Sequence, residues 1–125
     1  MGLYNFKVRF EQFIRDGRKR HTIRETRKHA DQPGNTLHLY TGLRTRNCRL
    51  IFRAPCTAVQ EIEIRGDGIS IDGDELSRDE QETLARRDGF RDLAEFYRFW
   101  PADKLPFAGQ IIWWDYERRT VGDKK

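Results

Sequence analysis

The sequence predicts a small α+β barrel of about six short strands and two to three short helices, in one domain over residues 1–125. Apolar residues alternate with polar ones in several short runs, which is the period of a half-buried strand. Capping signatures and helical spacing lie between those runs. Gly and Pro corners separate the pieces, and closing so small a sheet on itself removes its exposed edges.

Phe6, Val8 and Phe10 alternate with charged residues and predict the first strand. From Phe10 the period changes. Phe10, Phe13 and Ile14 share a helical face, and Gly17 supplies the left-handed residue that stops a short helix. Thr22 and Ile23 return the chain to extended structure, and residues 25–35, closed by Pro33-Gly34, form a charged loop with a turn. In the next strand Leu37 and Leu39 face one way and His38 and Tyr40 the other, ahead of a basic loop over residues 42–47. Residues 49–64 read as one long strand or two, with Pro55 marking a bend or an edge. Gly66-Asp67-Gly68 between Ile62/Ile64 and Ile69/Ile71 marks a hairpin.

Ser77-Arg78-Asp79-Glu80 is a capping box for a helix that carries Leu84 and Ala85 and ends at Asp88-Gly89. Asp92 opens another, with Leu93, Phe96, Tyr97 and Trp100 on one face and Pro101 as its stop. Residues 110–116 form the closing strand, and the charged tail from Glu117 is expected to fray.

Only 37% of residues are apolar and 35% are charged, so eight Phe, four Tyr and three Trp must supply much of the core. Residues 1–60 carry 13 Lys/Arg against 4 Asp/Glu, and residues 61–125 carry 11 against 16, so the halves stand at +9 and −5. The basic half favours a phosphate-bearing partner. Equally, the two halves can neutralise each other across one fold. Cys48 and Cys56 read as buried free thiols. His21, His29 and His38 lack metal-ligand spacing, so neither a metal nor a cofactor is expected. No long apolar run or signal peptide is present, which places the chain in the cytoplasm with no membrane partner.

Residues 17–24, Gly-Arg-Lys-Arg-His-Thr-Ile-Arg, set a lysine, a hydroxyl and a guanidinium close together. A hydroxyl nucleophile needs a neighbouring base. Lys19 serves as one if desolvation or the positive charge of Arg18, Arg20 and Arg24 pushes its pKa down. Arg24 also offers a planar fork for phosphate or carboxylate. The same octapeptide suits a solvated basic turn leading into a strand.

Taken in order, several of these pieces resemble the ASCH family, small PUA-like β-barrels associated with RNA and nucleotides. They are Phe6, Arg9 and Phe10; Gly17-Arg18-Lys19; Thr22-Ile23-Arg24; Pro33-Gly34 with Leu37; Leu84-Ala85; Asp88-Gly89-Phe90; and the last strand with Gly109 and Trp113/Trp114. The match spans nearly the whole chain, and Gly-x-Lys-x-x-Thr-x-Arg is its most specific part. Some small bacterial members hydrolyse the amide of N4-acetylcytidine with a lysine, a threonine and a glutamate. The resemblance implies Lys19, Thr22 and Asp88 in those roles. The aspartate is a departure: it is one methylene shorter, so it must come closer or act through water.

Arg24, Phe6, Arg9 and Tyr40 are the expected substrate-binding residues, with Tyr40 stacking on a base. The implied activity is a metal-independent amidohydrolase acting on N4-acylated cytosine or cytidine. The alternatives are a non-catalytic RNA- or nucleotide-binding module and an ASCH-type ribonuclease. In a regular strand Lys19 and Thr22 would face opposite ways. The reading therefore requires Lys19 to sit in the turn ahead of the strand, at a position expected to be exposed.

Overall fold

A computed structural model describes residues 2–121. Its first strand, β1 (Gly2–Phe6), buries Gly2, Tyr4 and Phe6 and exposes Leu3 and Asn5. The burial alternation thus runs back from Phe6 rather than forward. Val8 is exposed and opens helix α1 (Val8–Arg15), which buries Phe10 and Ile14. Strands β2 (His21–Arg24), β3 (Thr36–Thr41), β4 (Arg49–Arg65), β5 (Gly68–Ile71) and β6 (Asp74–Glu75) follow, then helices α2 (Arg78–Arg87) and α3 (Leu93–Phe99) and strand β7 (Phe107–Trp114). The domain is α+β, with three α-helices against a mixed sheet of seven strands among the described residues, one strand more than expected.

The sheet runs β1-β3-β4-β5-β6, with β7 on β4 and β2 on β7; among the described residues only β1 and β3 are parallel. Residues 49–65 form a single strand that serves three neighbours, β3, β7 and, through Ile62 to Arg65, β5. Its first part pairs with β3 from Thr41↔Arg49 to Thr36↔Pro55, and its second pairs with β7 from Cys56↔Trp114 to Ile64↔Phe107. Pro55 has no N–H to give to a ladder, and a register shift follows between Cys56 and Ala58. The chain bends there, and the sheet curls.

The curl is a half-barrel, which corrects the expected closure. Among the described residues β1 pairs only with β3, and β2 only with β7. β2 is four residues long, and the chain leaves the sheet at Glu25 before it can reach β1. Guanidinium groups span the opening instead: Arg24 Nη2 donates to the Asn5 carbonyl and Arg27 Nη2 to the Leu3 carbonyl, both at 2.7 Å.

The helices pack their buried residues into the same core as the sheet. The Ser77 hydroxyl accepts from the Glu80 amide at 3.1 Å and the Glu80 carboxylate from the Ser77 amide at 2.7 Å, closing the capping box of α2. Asp92 caps α3 through the Glu95 amide, and α3 buries Leu93 and Phe96. Leu37, Leu39, Ile51, Ile64, Ile69, Phe96 and Ile111 are all buried in one core.

Cys48 is exposed and only Cys56 is buried; both are free thiols. Residues 42–47 carry Cys48 out on their turn, which the alternation of the following strand did not foretell. The tail is held as far as Thr120, which exchanges two backbone hydrogen bonds with Arg53; residues 122–125 lie outside the described ones. Among the described residues no helix is long and apolar enough to cross a membrane.

Candidate functional site

Gly17, at φ +85°, turns the chain at the end of α1, and the Lys19 amide donates back to the Phe13 carbonyl at 2.9 Å. Lys19 therefore precedes β2, which begins at His21. That placement removes the alternation problem, since Lys19 need not obey the two-residue period of the strand. Thr22 lies on β2 opposite Ile112 of β7.

The third position comes from the end of α2. The Asp88 amide donates to the Leu84 carbonyl, and Gly89 turns the chain at φ +102°. A Cβ on Gly89 would come within 2.8 Å of the Phe10 ring, so the turn needs glycine on two counts. Asp88 does not bond to nearby amides, as a plain turn residue would. Its carboxylate meets Lys19 Nζ at 2.6 Å, and Nζ also donates to the Asp88 carbonyl at 2.7 Å. Lys19, Thr22 and Asp88 are all buried, at 3%, 4% and 6% exposure. The expectation of an exposed Lys19 is thus corrected: a bonded carboxylate partner lets an amine lie inside the fold.

Lys19, Thr22 and Asp88 line one cleft of about 520 Å³, together with Phe6 and Arg24. The cleft lies where the barrel fails to close, with Asn5 and Phe6 from β1 on one side and Thr22 and Arg24 from β2 on the other. An aromatic wall of Phe90, Phe99, Trp100 and Phe107 completes it. Adjacent rings of that wall stand 5.4, 5.6 and 4.5 Å apart. Arg24 Nε donates to Thr22 Oγ1 at 2.9 Å, which fixes the hydroxyl.

Two expected binding residues stand elsewhere. Arg9 does not line the cleft: its Nη2 donates to the Gly89 carbonyl at 3.2 Å, and its guanidinium lies over Phe10 and Phe90. It braces the turn that presents Asp88. Tyr40 lies on β3 between Asn5 and Leu50 of the neighbouring strands, also outside the lining.

His21 is a neighbour that spacing alone does not announce. As the residue before Thr22 it faces the other way along β2, fully buried, with its ring 4.6 Å from that of its cross-strand partner Trp113. Its Nε2 lies 3.1 Å from Asp88 Oδ1, the oxygen that Lys19 holds. The approach is off line for a hydrogen bond, so neither ring nitrogen has an aligned partner.

Burial pushes the Lys19 amine below its usual range; the Asp88 carboxylate pulls it back, while Arg24 and Arg9 push it further down. Burial acting alone would raise Asp88, but the Lys19 charge and the His21 contact hold it below the usual carboxylate value. These directions oppose each other, because an ionised Asp88 favours a charged Lys19. The 2.6 Å contact decides the resting state as ammonium facing carboxylate, with the ammonium's hold on its proton weakened. Burial lowers His21 from 6.5, so its imidazole is neutral at pH 7. Arg24 is pushed down to about 10 by burial and by Arg27, and stays charged.

Among the described residues no three His, Cys, Asp or Glu side chains are grouped to hold a metal ion. No known family, characterised protein or solved structure matches this chain.

Proposed function

We propose that this is an ASCH-type amidohydrolase that removes the acyl group from N4-acylated cytosine or cytidine. The observation that carries the reading is the convergence of a buried Lys19–Asp88 pair and the Thr22 hydroxyl on one cleft. Thr22 Oγ attacks the acyl carbonyl and loses its proton to the free-amine form of Lys19, which the burial of the site brings nearer to neutral pH. The bond from Thr22 Oγ to the acyl carbon forms as the carbon–N4 bond breaks. The proton passes by way of the Lys19–Asp88 pair to N4, which leaves as the amino group of cytosine. Water then adds to the acyl carbon as its bond to Thr22 Oγ breaks, which releases the acyl group as a carboxylate and restores the hydroxyl. The Arg24 donor on Oγ1 favours the developing alkoxide.

The test is incubation with N4-acetylcytidine, following the ultraviolet change as cytidine appears. Hydrolysis in the presence of a chelator is expected, because the base is an amine and not a metal-bound water. No hydrolysis, or activity only with an added divalent ion, overturns the reading.

A second reading has its own support, since Lys7, Arg24 and Lys104 line the cleft beside the aromatic wall. That set suits a nucleotide or RNA held by phosphate contacts and stacking. Salt separates the two: phosphate binding weakens steeply with salt, whereas nucleoside hydrolysis hardly responds.

A further inference from the structure

We infer that His21 is a positioning residue for Asp88: its Nε2–H holds Oδ1 from the side opposite the cleft, so that Lys19 and His21 together fix the carboxylate and leave Oδ2 for the reaction. Four observations carry this. Lys19 Nζ at 2.6 Å and His21 Nε2 at 3.1 Å address the same oxygen, Oδ1. Among the described residues nothing donates to Oδ2, and Asp88 lines the cleft. The imidazole is fully buried, where an unbonded nitrogen is costly, and Asp88 Oδ1 is the acceptor within reach of Nε2. Finally, the ring cannot drift away, because it lies against Trp113, whose own N–H is tied to Gln60 Oε1 at 2.8 Å.

The chemistry fixes the tautomer. A neutral imidazole donates from one nitrogen only, and a carboxylate oxygen accepts. The proton therefore sits on Nε2. The misalignment at rest matches a general pattern, in which hydrogen bonds of a reactive site tighten only when substrate is bound. The charged groups that act on the ring are Asp88, Lys19 and Arg87. Asp88 favours the imidazolium, while both cations and the burial oppose it, so the ring stays neutral. His21 is thus a fixed donor rather than a proton carrier.

The kinetic part of the test rests on the amidohydrolase reading; the spectroscopic part does not. His21→Phe keeps a ring against Trp113 and removes the donor, whereas His21→Gln places an amide N–H close to the position of Nε2. With N4-acetylcytidine, His21→Phe should lose roughly tenfold or more in kcat with little change in KM, as for one hydrogen bond to a charged group. The lower of its acidic limbs, where Asp88 itself takes a proton, should move to higher pH, because His21 helps to hold Asp88 low. His21→Gln should recover much of the rate and the original limb. A folded His21→Phe with the wild-type rate and limb overturns the inference.

Nitrogen NMR of the imidazole gives a reading independent of activity. The Nε2–H tautomer is expected in the wild type, and its shift should move in Asp88→Asn. A wild-type Nδ1–H tautomer, or a shift unchanged in Asp88→Asn, overturns the inference even if the protein hydrolyses the substrate. Should the substrate not be hydrolysed, the tautomer still decides the role of His21.

Discussion

Asp88→Asn tests the buried pair at its centre. The change keeps the size of the side chain and one oxygen acceptor but removes the charge that faces Lys19 Nζ at 2.6 Å. Breaking a buried pair by neutralising one partner costs about 3–5 kcal/mol, because the other charge is left without compensation. The Asp88 carbonyl still accepts from Nζ, and Lys19 can shed its proton, so the lower end applies. A loss of about 3 kcal/mol corresponds to a fall in Tm of roughly 10 °C for a domain of this size.

The pH dependence follows from the same groups. Folding lowers the Asp88 pKa below 3.8, so the stability it adds is present above that value and lost as pH falls from there through the lower folded value. Folding also lowers Lys19 from 10.5, so the unfolded chain binds the extra proton and stability rises with pH up to that value. The variant lacks the carboxylate that supports the Lys19 charge, so its folded Lys19 pKa drops further. The gap between the two proteins is therefore widest just above about pH 4, narrows as pH rises and closes by about pH 10.5. Denaturant titrations of both proteins near pH 6 and near pH 10 measure it. Equal stability near pH 6, or a gap of constant size at both, would refute the paired buried charges. In the hydrolysis assay the variant should lose about a hundredfold or more.

Thr22→Ser keeps the hydroxyl and should retain most of the turnover, whereas Thr22→Val should abolish it and cost about 1–3 kcal/mol of stability, because Arg24 Nε loses its acceptor; a folded, working valine variant would remove Thr22 as nucleophile. Gly89→Ala should destabilise the domain by about 2 kcal/mol or more, since it places a Cβ at φ +102° and against Phe10. Because that turn presents Asp88, turnover should fall with stability, and an alanine variant with wild-type melting and rate would contradict this account of the turn.

The local devices were legible in the sequence because each rests on neighbours in the chain. The Ser77 capping box, the hairpin at Gly66-Asp67-Gly68, the alternation of Leu37 and Leu39 and the turn after Gly17 all stand where the residues placed them. Lys19 and Thr22 belong to one octapeptide, so their nearness was also legible, and the stop at Gly17 explained how both could face one side. What the sequence left open depends on contacts between distant segments.

The bend at Pro55 divides β4 between its β3 and β7 ladders, and the short β2 leaves the barrel open, so tertiary pairing decided that there is a cleft at all. Asp88 comes within hydrogen-bond reach of Lys19 across 69 residues of chain, which local spacing cannot encode. The same pairing buried an amine expected at the surface and drew in His21, while Arg9 went to the back of the Asp88 turn and Tyr40 to another strand. A side chain's period fixes which way it faces along its own element. What it meets there is fixed by the packing of the other elements, and here that packing decided the charge, burial and partners of the site.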